Sequence, residues 1–214
     1  DLGLFMVADG MGGHRGGEKA SKLAIETSAE TYIKHLARGL KPEDALKNAV
    51  QDATKAVFQN GQLDPELKGM GTTLSSLLIC FNQAYICHIG DSRIYRLRDD
   101  KLTRLTTDHS LVNEQVEAGI MTEEQARTSN LRNIITRAIG HDQNAQADHL
   151  SVAIEPDDMF LLCTDGLNNM LNDDKIKEII TKQEPKKSIN TLISEANLMG
   201  GDDNITVILV SLKP

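Results

Sequence analysis

The stretch TTLSSLLICFNQAYICHIGDSRIYRLRDDKLTRLT, residues 72–106, decides the fold class. It breaks into runs rich in β-branched and apolar residues, parted by the polar pairs Asn82-Gln83, Asp91-Ser92 and Asp99-Asp100. Short strands with connections this brief predict an antiparallel meander, because parallel neighbours would need long crossovers.

Upstream of these strands the spacing predicts two amphipathic helices. Over residues 18–36, Ala20, Leu23, Ala24, Thr27 and Thr31 recur on one helical face. Pro42, Glu43 and Asp44 have the chemistry of a helical first turn, Leu46, Ala49, Val50, Ala53 and Val57 continue it as one stripe, and Asn60-Gly61 predicts its stop. Residues 4–8, LFMVA, predict a buried strand with no turn signal before it, so the domain is expected to be N-terminally truncated.

Downstream, residues 108 to about 132 are polar and partly helical in pattern, the mark of a surface excursion. Strands are predicted again over 149–154 and 159–164, helices over 173–182 and 186–198, and a last strand in ITVILVSL. Strands and helices come in blocks and do not alternate, which indicates an α+β fold in a single domain spanning residues 1–214.

Composition narrows the function. With 40% apolar residues but only 3% aromatic ones and no Trp, the core is expected to be aliphatic. A formal charge of −8 with scattered Lys and Arg argues against a nucleic-acid partner. No apolar run approaches a membrane span and no signal peptide is evident, so a cytoplasmic protein is expected. Cys80, Cys87 and Cys163 form no CxxC pair and lie in strand-like segments, which predicts reduced, structural thiols.

The chemistry points to aspartates at strand ends. FMVADG, CHIGDS, LLCTDG and MGGDDN place Asp9, Asp91, Asp165 and the pair Asp202-Asp203 where apolar runs stop. Each alone is an ordinary turn former. If they converge, their mutual repulsion demands protons or a multivalent cation, and an all-oxygen set suits Mg²⁺ or Mn²⁺ better than Zn²⁺. The loop GMGGHRGG is no dinucleotide fingerprint, because Arg15 stands where the third glycine belongs, and no GxxxxGK[ST] occurs.

In order, VADGMGGHRGGEKAS, GMGTTL, HIGDSRIYRL, LTTDHS, NIITRAIG, LLCTDGL and GGDDNITVILV resemble the bacterial metal-dependent protein phosphatases of type 2C. The resemblance implies a four-layer αββα sandwich, two antiparallel sheets flanked by helix pairs, with a binuclear centre at one end. It implies that Asp9 bridges two cations, Mn²⁺ or Mg²⁺, that the Gly10 carbonyl binds the second, and that Asp165 and Asp203 complete the first. Asp91 with Asp165 would hold a third, weaker cation. A water between the cations would attack phosphorus, with Asp9 and Asp165 catalytic through the metals and no protein nucleophile.

The resemblance also makes residues 108–132 a flap beside the active site. Met11 stands where eukaryotic relatives carry a histidine, and His14 is expected to be a loop residue. An arginine and an acidic ligand that the family carries before this point are expected upstream of residue 1. The implied activity is hydrolysis of phosphoserine and phosphothreonine in proteins, opposing a bacterial Ser/Thr kinase or acting on its substrates, by a monomer without a membrane segment. The alternatives are a non-catalytic, metal-dependent binding protein and a phosphatase dedicated to an anti-sigma antagonist.

Overall fold

A computed structural model describes residues 2–212. Chain order runs β1 (Leu2–Val7), β2 (Gly10–Met11), α1 (His14–Ala37), α2 (Pro42–Leu63), a 3₁₀ turn (Pro65–Leu67), β3 (Gly71–Thr72), β4 (Leu74–Cys80) and β5 (Gln83–Ile89). It continues through β6 (Arg93–Arg98), β7 (Lys101–Arg104), α3 (Leu111–Glu117), α4 (Glu123–Thr128), β8 (Asp148–Ala153) and β9 (Met159–Cys163). The last elements are α5 (Asp165–Asn168), α6 (Asp173–Lys182), α7 (Pro185–Leu198) and β10 (Val207–Ser211).

The strands form two antiparallel four-stranded sheets, in the orders β1-β4-β5-β8 and β10-β9-β6-β7, with β2 and β3 paired apart. The meander expected over 72–106 is therefore two hairpins. β4 pairs with β5 and β6 with β7, but β5 and β6 belong to different sheets. Gly90 makes the crossing: its φ is +111°, and a side-chain carbon there would stand 2.5 Å from Thr73 Cβ, so only glycine fits.

Alternation along the strands sorts side chains into three cores. Leu77, Ala84, Ile86, Ile94, Phe160 and Leu162 fill the space between the sheets. Leu74, Leu78, Cys87 and Ile89 face α1 and α2, while Tyr95, Leu161 and Cys163 face α6 and α7. This is the four-layer αββα sandwich. β4 is buried on almost every residue because helices cover one face and the second sheet the other, which is why its sequence is apolar without alternation.

Two helix expectations need correction. α1 starts at His14, inside the predicted loop, and its deepest residues are Ala20, Ala24, Ser28 and Tyr32, with Thr27 and Thr31 only half-buried. The side chain of His14 lies outside the described residues. Asn60-Gly61 does not end α2, which runs on to Leu63. Gly61 is buried there against Leu67 and Met70. Residues 108–132 leave from buried Asp108, His109 and Ser110 and carry α3 and α4. Among the described residues no helix is long and apolar enough to cross a membrane.

Candidate metal centre

Asp9 lies two residues after β1, and its backbone is clamped. Its N–H donates to Thr73 Oγ1 at 2.9 Å, and its carbonyl accepts from the Thr73 N–H and the Thr72 hydroxyl, each also at 2.9 Å. Thr73 Oγ1 lies 2.7 Å from Ser92 Oγ, so one hydroxyl links the Asp9 turn to the residue after Asp91. Next to Asp9, a side-chain carbon on Gly10 would stand 2.0 Å from the Gly17 carbonyl oxygen, and one on Gly17 would stand 2.6 Å from the Gly10 oxygen. The first turn of α1 thus touches β2 backbone to backbone, and that contact is why both positions are glycine.

Asp165 opens α5 directly after β9. Asn169 Nδ2 donates to its Oδ2 at 3.0 Å, which sets the carboxylate's orientation. Thr164 ties this turn to the one that carries Asp203: its hydroxyl donates to the Asn204 carbonyl at 3.3 Å and accepts from the Thr206 N–H at 3.0 Å. Gly166 passes so near Asn204 that a side-chain carbon would lie 2.3 Å from the latter's carbonyl oxygen. Asp203 itself is exposed, and its Oδ1 accepts from the Asn204 N–H at 2.7 Å.

Asp91 is buried at the crossing between the sheets. Beside it Arg93 grips Asp108 with two nitrogens, Nε at 3.0 Å from Oδ1 and Nη2 at 2.6 Å from Oδ2, and reaches the Tyr95 hydroxyl with Nη1 at 3.0 Å. Asp91 and Asp165 line a cleft of about 310 Å³ together with residues of α3 and α4. Asp9 and Gly10 line a separate, open groove with Glu18 and Asn204.

The carboxyl groups of Asp9 and Asp165 are placed to share a proton. Burial and the Asp165 charge, followed by those of Asp203 and Asp91, push Asp9 up to about 8. Burial, then Asp165 and Asp108, push Asp91 up to about 7. Asp165 is raised as well, by burial first, with Asp203 adding to it while the neighbouring Asp9 carboxyl works against it. Among the described residues, no three His, Cys, Asp or Glu side chains close into a cage around an ion. The structure brings Asp9 and Asp165 together and sets Asp203 and Asp91 within electrostatic reach.

Whether a divalent cation suits these residues can be judged from one atom. Asp165 Oδ1 is buried without any hydrogen-bond partner, and the group beside it is another carboxyl. The metal-free pair is relieved by a proton; once both carboxylates are ionised no proton lies between them, and positive charge must take its place. An all-oxygen donor set fits a hard divalent cation.

The family model for protein phosphatase 2C matches residues 1–192. The chain belongs to the protein phosphatase 2C family. It is 40% identical over 212 residues to protein phosphatase PhpP of Streptococcus pneumoniae, covering 98% of this chain and 86% of that one. It is 36% identical over 210 residues to serine/threonine phosphatase stp of Listeria innocua, covering 97% and 83% respectively. The fold superposes on the Mycobacterium tuberculosis serine/threonine phosphatase PstP/Ppp with a TM-score of 0.89 and 37% identity, over 99% of this chain and 88% of that one. A PstP catalytic domain in complex with two manganese ions matches with a TM-score of 0.86 and 35% identity over the same shares. Phosphatases of the 2C family use divalent metals.

Several residues that shape the site carry no signal of their own in the sequence. Thr72 and Thr73 stand in GMGTTL and look like ordinary strand residues, and Asn169 follows Asp165 by one helical turn. The Asp165–Asn169 spacing is the one usable clue, since residues four apart on a helix meet.

Proposed function

We propose that this member of the 2C family is a metal-dependent serine/threonine protein phosphatase, hydrolysing phosphoserine and phosphothreonine in other proteins. The observation that carries the reading is the buried, unpartnered Asp165 Oδ1 in a carboxyl group that neighbours the Asp9 carboxyl. Asp9, Asp165, Asp203 and the Gly10 carbonyl would hold two cations tightly, Mn²⁺ or Mg²⁺, and Asp91 with Asp165 a third more weakly. Bound there, such cations supply Lewis acidity toward the phosphoryl oxygens and a water made nucleophilic near neutral pH.

The chain's own part is rigid placement. Thr72 and Thr73 fix the Asp9 turn, Asn169 orients Asp165, and Thr164 holds the Asp203 turn beside it. No side chain is cast as nucleophile. Cys163, the thiol two residues before Asp165, is fully buried at the end of β9, and burial pushes it up to about 12, so it stays protonated. In this reading the phosphoryl group passes directly to water, without a phosphoenzyme.

Phosphorylated proteins are the partners, a bacterial Ser/Thr kinase or its substrates among them, met by a cytoplasmic monomer. Against the alternative of a non-catalytic metal-dependent binder, the deciding experiment is hydrolysis of a small aryl phosphate and a phosphothreonine peptide with and without Mn²⁺. Turnover that requires Mn²⁺ is expected. Metal binding with no turnover on either substrate would favour the binder.

A further inference from the structure

The cleft that Asp91 and Asp165 line is also lined by arginines, alongside the acids Asp108, Glu123 and Asp173, and none of these arginines is assigned to the metal centre. Arg104 comes from β7, Arg127 from α4 and Arg132 from the segment that follows α4, and all three line the cleft. Each has donors to spare. Arg104 Nη1 stands 3.8 Å from Asp108 Oδ2, beyond hydrogen-bonding distance, and that oxygen is already taken by Arg93 at 2.6 Å. Arg132 Nη2 lies 3.8 Å from Asp202, again too far for a hydrogen bond. Arg127 makes no ion pair among the described residues. Three guanidinium forks, each offering paired N–H groups, face a space about 310 Å³ in volume.

The rest of the molecule sharpens the contrast. Its formal charge of −8 disfavours the approach of acidic chains overall. Asp108 comes within 3.8 Å of Arg104 and Asp202 within 3.8 Å of Arg132, so two of these guanidinium groups already attract separate carboxylates. A phosphorylated residue whose phosphate reaches Asp91 and Asp165 would have its neighbours in the same cleft as these arginines.

We propose that Arg104, Arg127 and Arg132 select phosphopeptides in which Asp or Glu residues flank the phosphorylated one. This rests on the phosphatase reading of the same site and adds the class of substrate to it. The contacts are with partly exposed side chains, so they act on KM, and their strength falls with ionic strength.

The test compares two phosphothreonine peptides that differ only in having Asp or Asn at the flanking positions. For the parent protein with Mn²⁺ at low salt, kcat/KM should favour the acidic peptide by about three- to tenfold, through KM, and approach parity at high salt. The double variant Arg127→Glu, Arg132→Glu should reverse the ratio, while Arg127→Lys alone should keep most of it. Since the readout is a ratio, a general loss of activity does not move it. A small aryl phosphate has no flanks, so its hydrolysis reports the phosphatase reading separately, and its absence would remove both. A parent ratio of one with aryl phosphate hydrolysis intact, or an unchanged ratio in the double variant, would overturn the selection. So would a clear preference for a doubly phosphorylated peptide with neutral flanks over the acidic one.

Discussion

An isolated aspartate has a pKa of 3.8, yet burial and then the Asp165 charge raise Asp9 to about 8. The sign of the consequence follows from proton counting. Between those two values the folded protein holds a proton on Asp9 that the unfolded chain has released, so without metal the stability from this group is complete below pH 4 and is lost as pH rises toward 8. Asp91, raised to about 7, acts in the same direction. In chelator, the melting temperature should therefore fall between pH 5 and pH 8. Asp9→Asn removes the charge while keeping the shape, and should flatten that fall and raise the melting temperature at pH 8. Melting curves of both proteins across this range check the expectation, and equal slopes would mean that the carboxylates are not crowded.

At the scale of elements, the site depends on a two-residue strand. β3 supplies Thr72 and is followed at once by Thr73, and the two accept and donate the bonds that hold the Asp9 turn and reach Ser92. Thr73→Val keeps the shape but leaves the Asp9 N–H and the buried Ser92 hydroxyl without this partner, at a cost of about 1–3 kcal/mol. Denaturant unfolding should show that loss together with weaker Mn²⁺ binding, and Thr73→Ser should restore most of both. Full stability in Thr73→Val would place the support of the Asp9 turn elsewhere. Such supports are hard to read from sequence because their cause is distant in the chain. α6 was legible to the residue, since its stripe of Ile176, Ile179 and Ile180 is a local 3.6-residue pattern. The start of α1 was not, because Gly16 and Gly17 look like loop residues until Gly10 is seen against Gly17. The strands over 72–106 were legible too, but their division between two sheets was not, since pairing is settled by β1, β8, β9 and β10 far away in sequence.

On the scale of the whole molecule, the candidate centre lies where the two sheets meet. Asp9 follows β1 of the first sheet, Asp165 follows β9 and Asp203 precedes β10 of the second, and Asp91 lies on the crossing between β5 and β6. The aspartates at strand ends were visible in the sequence, but their convergence is a product of the sandwich. A cation held by Asp9 and Asp165 would join the sheets, so binding should register as global stability. At a free Mn²⁺ concentration a hundred times its dissociation constant, linkage gives about 2.7 kcal/mol, which is about 5–10 °C in a domain of this size. The most direct measurement is the melting temperature at pH 7.5 as Mn²⁺ is titrated into the metal-free parent and into Asp165→Asn. The parent should rise by that amount and the variant hardly at all. A rise of the same size in both, at the same Mn²⁺ concentration, would contradict the assignment of Asp165 to the metal centre.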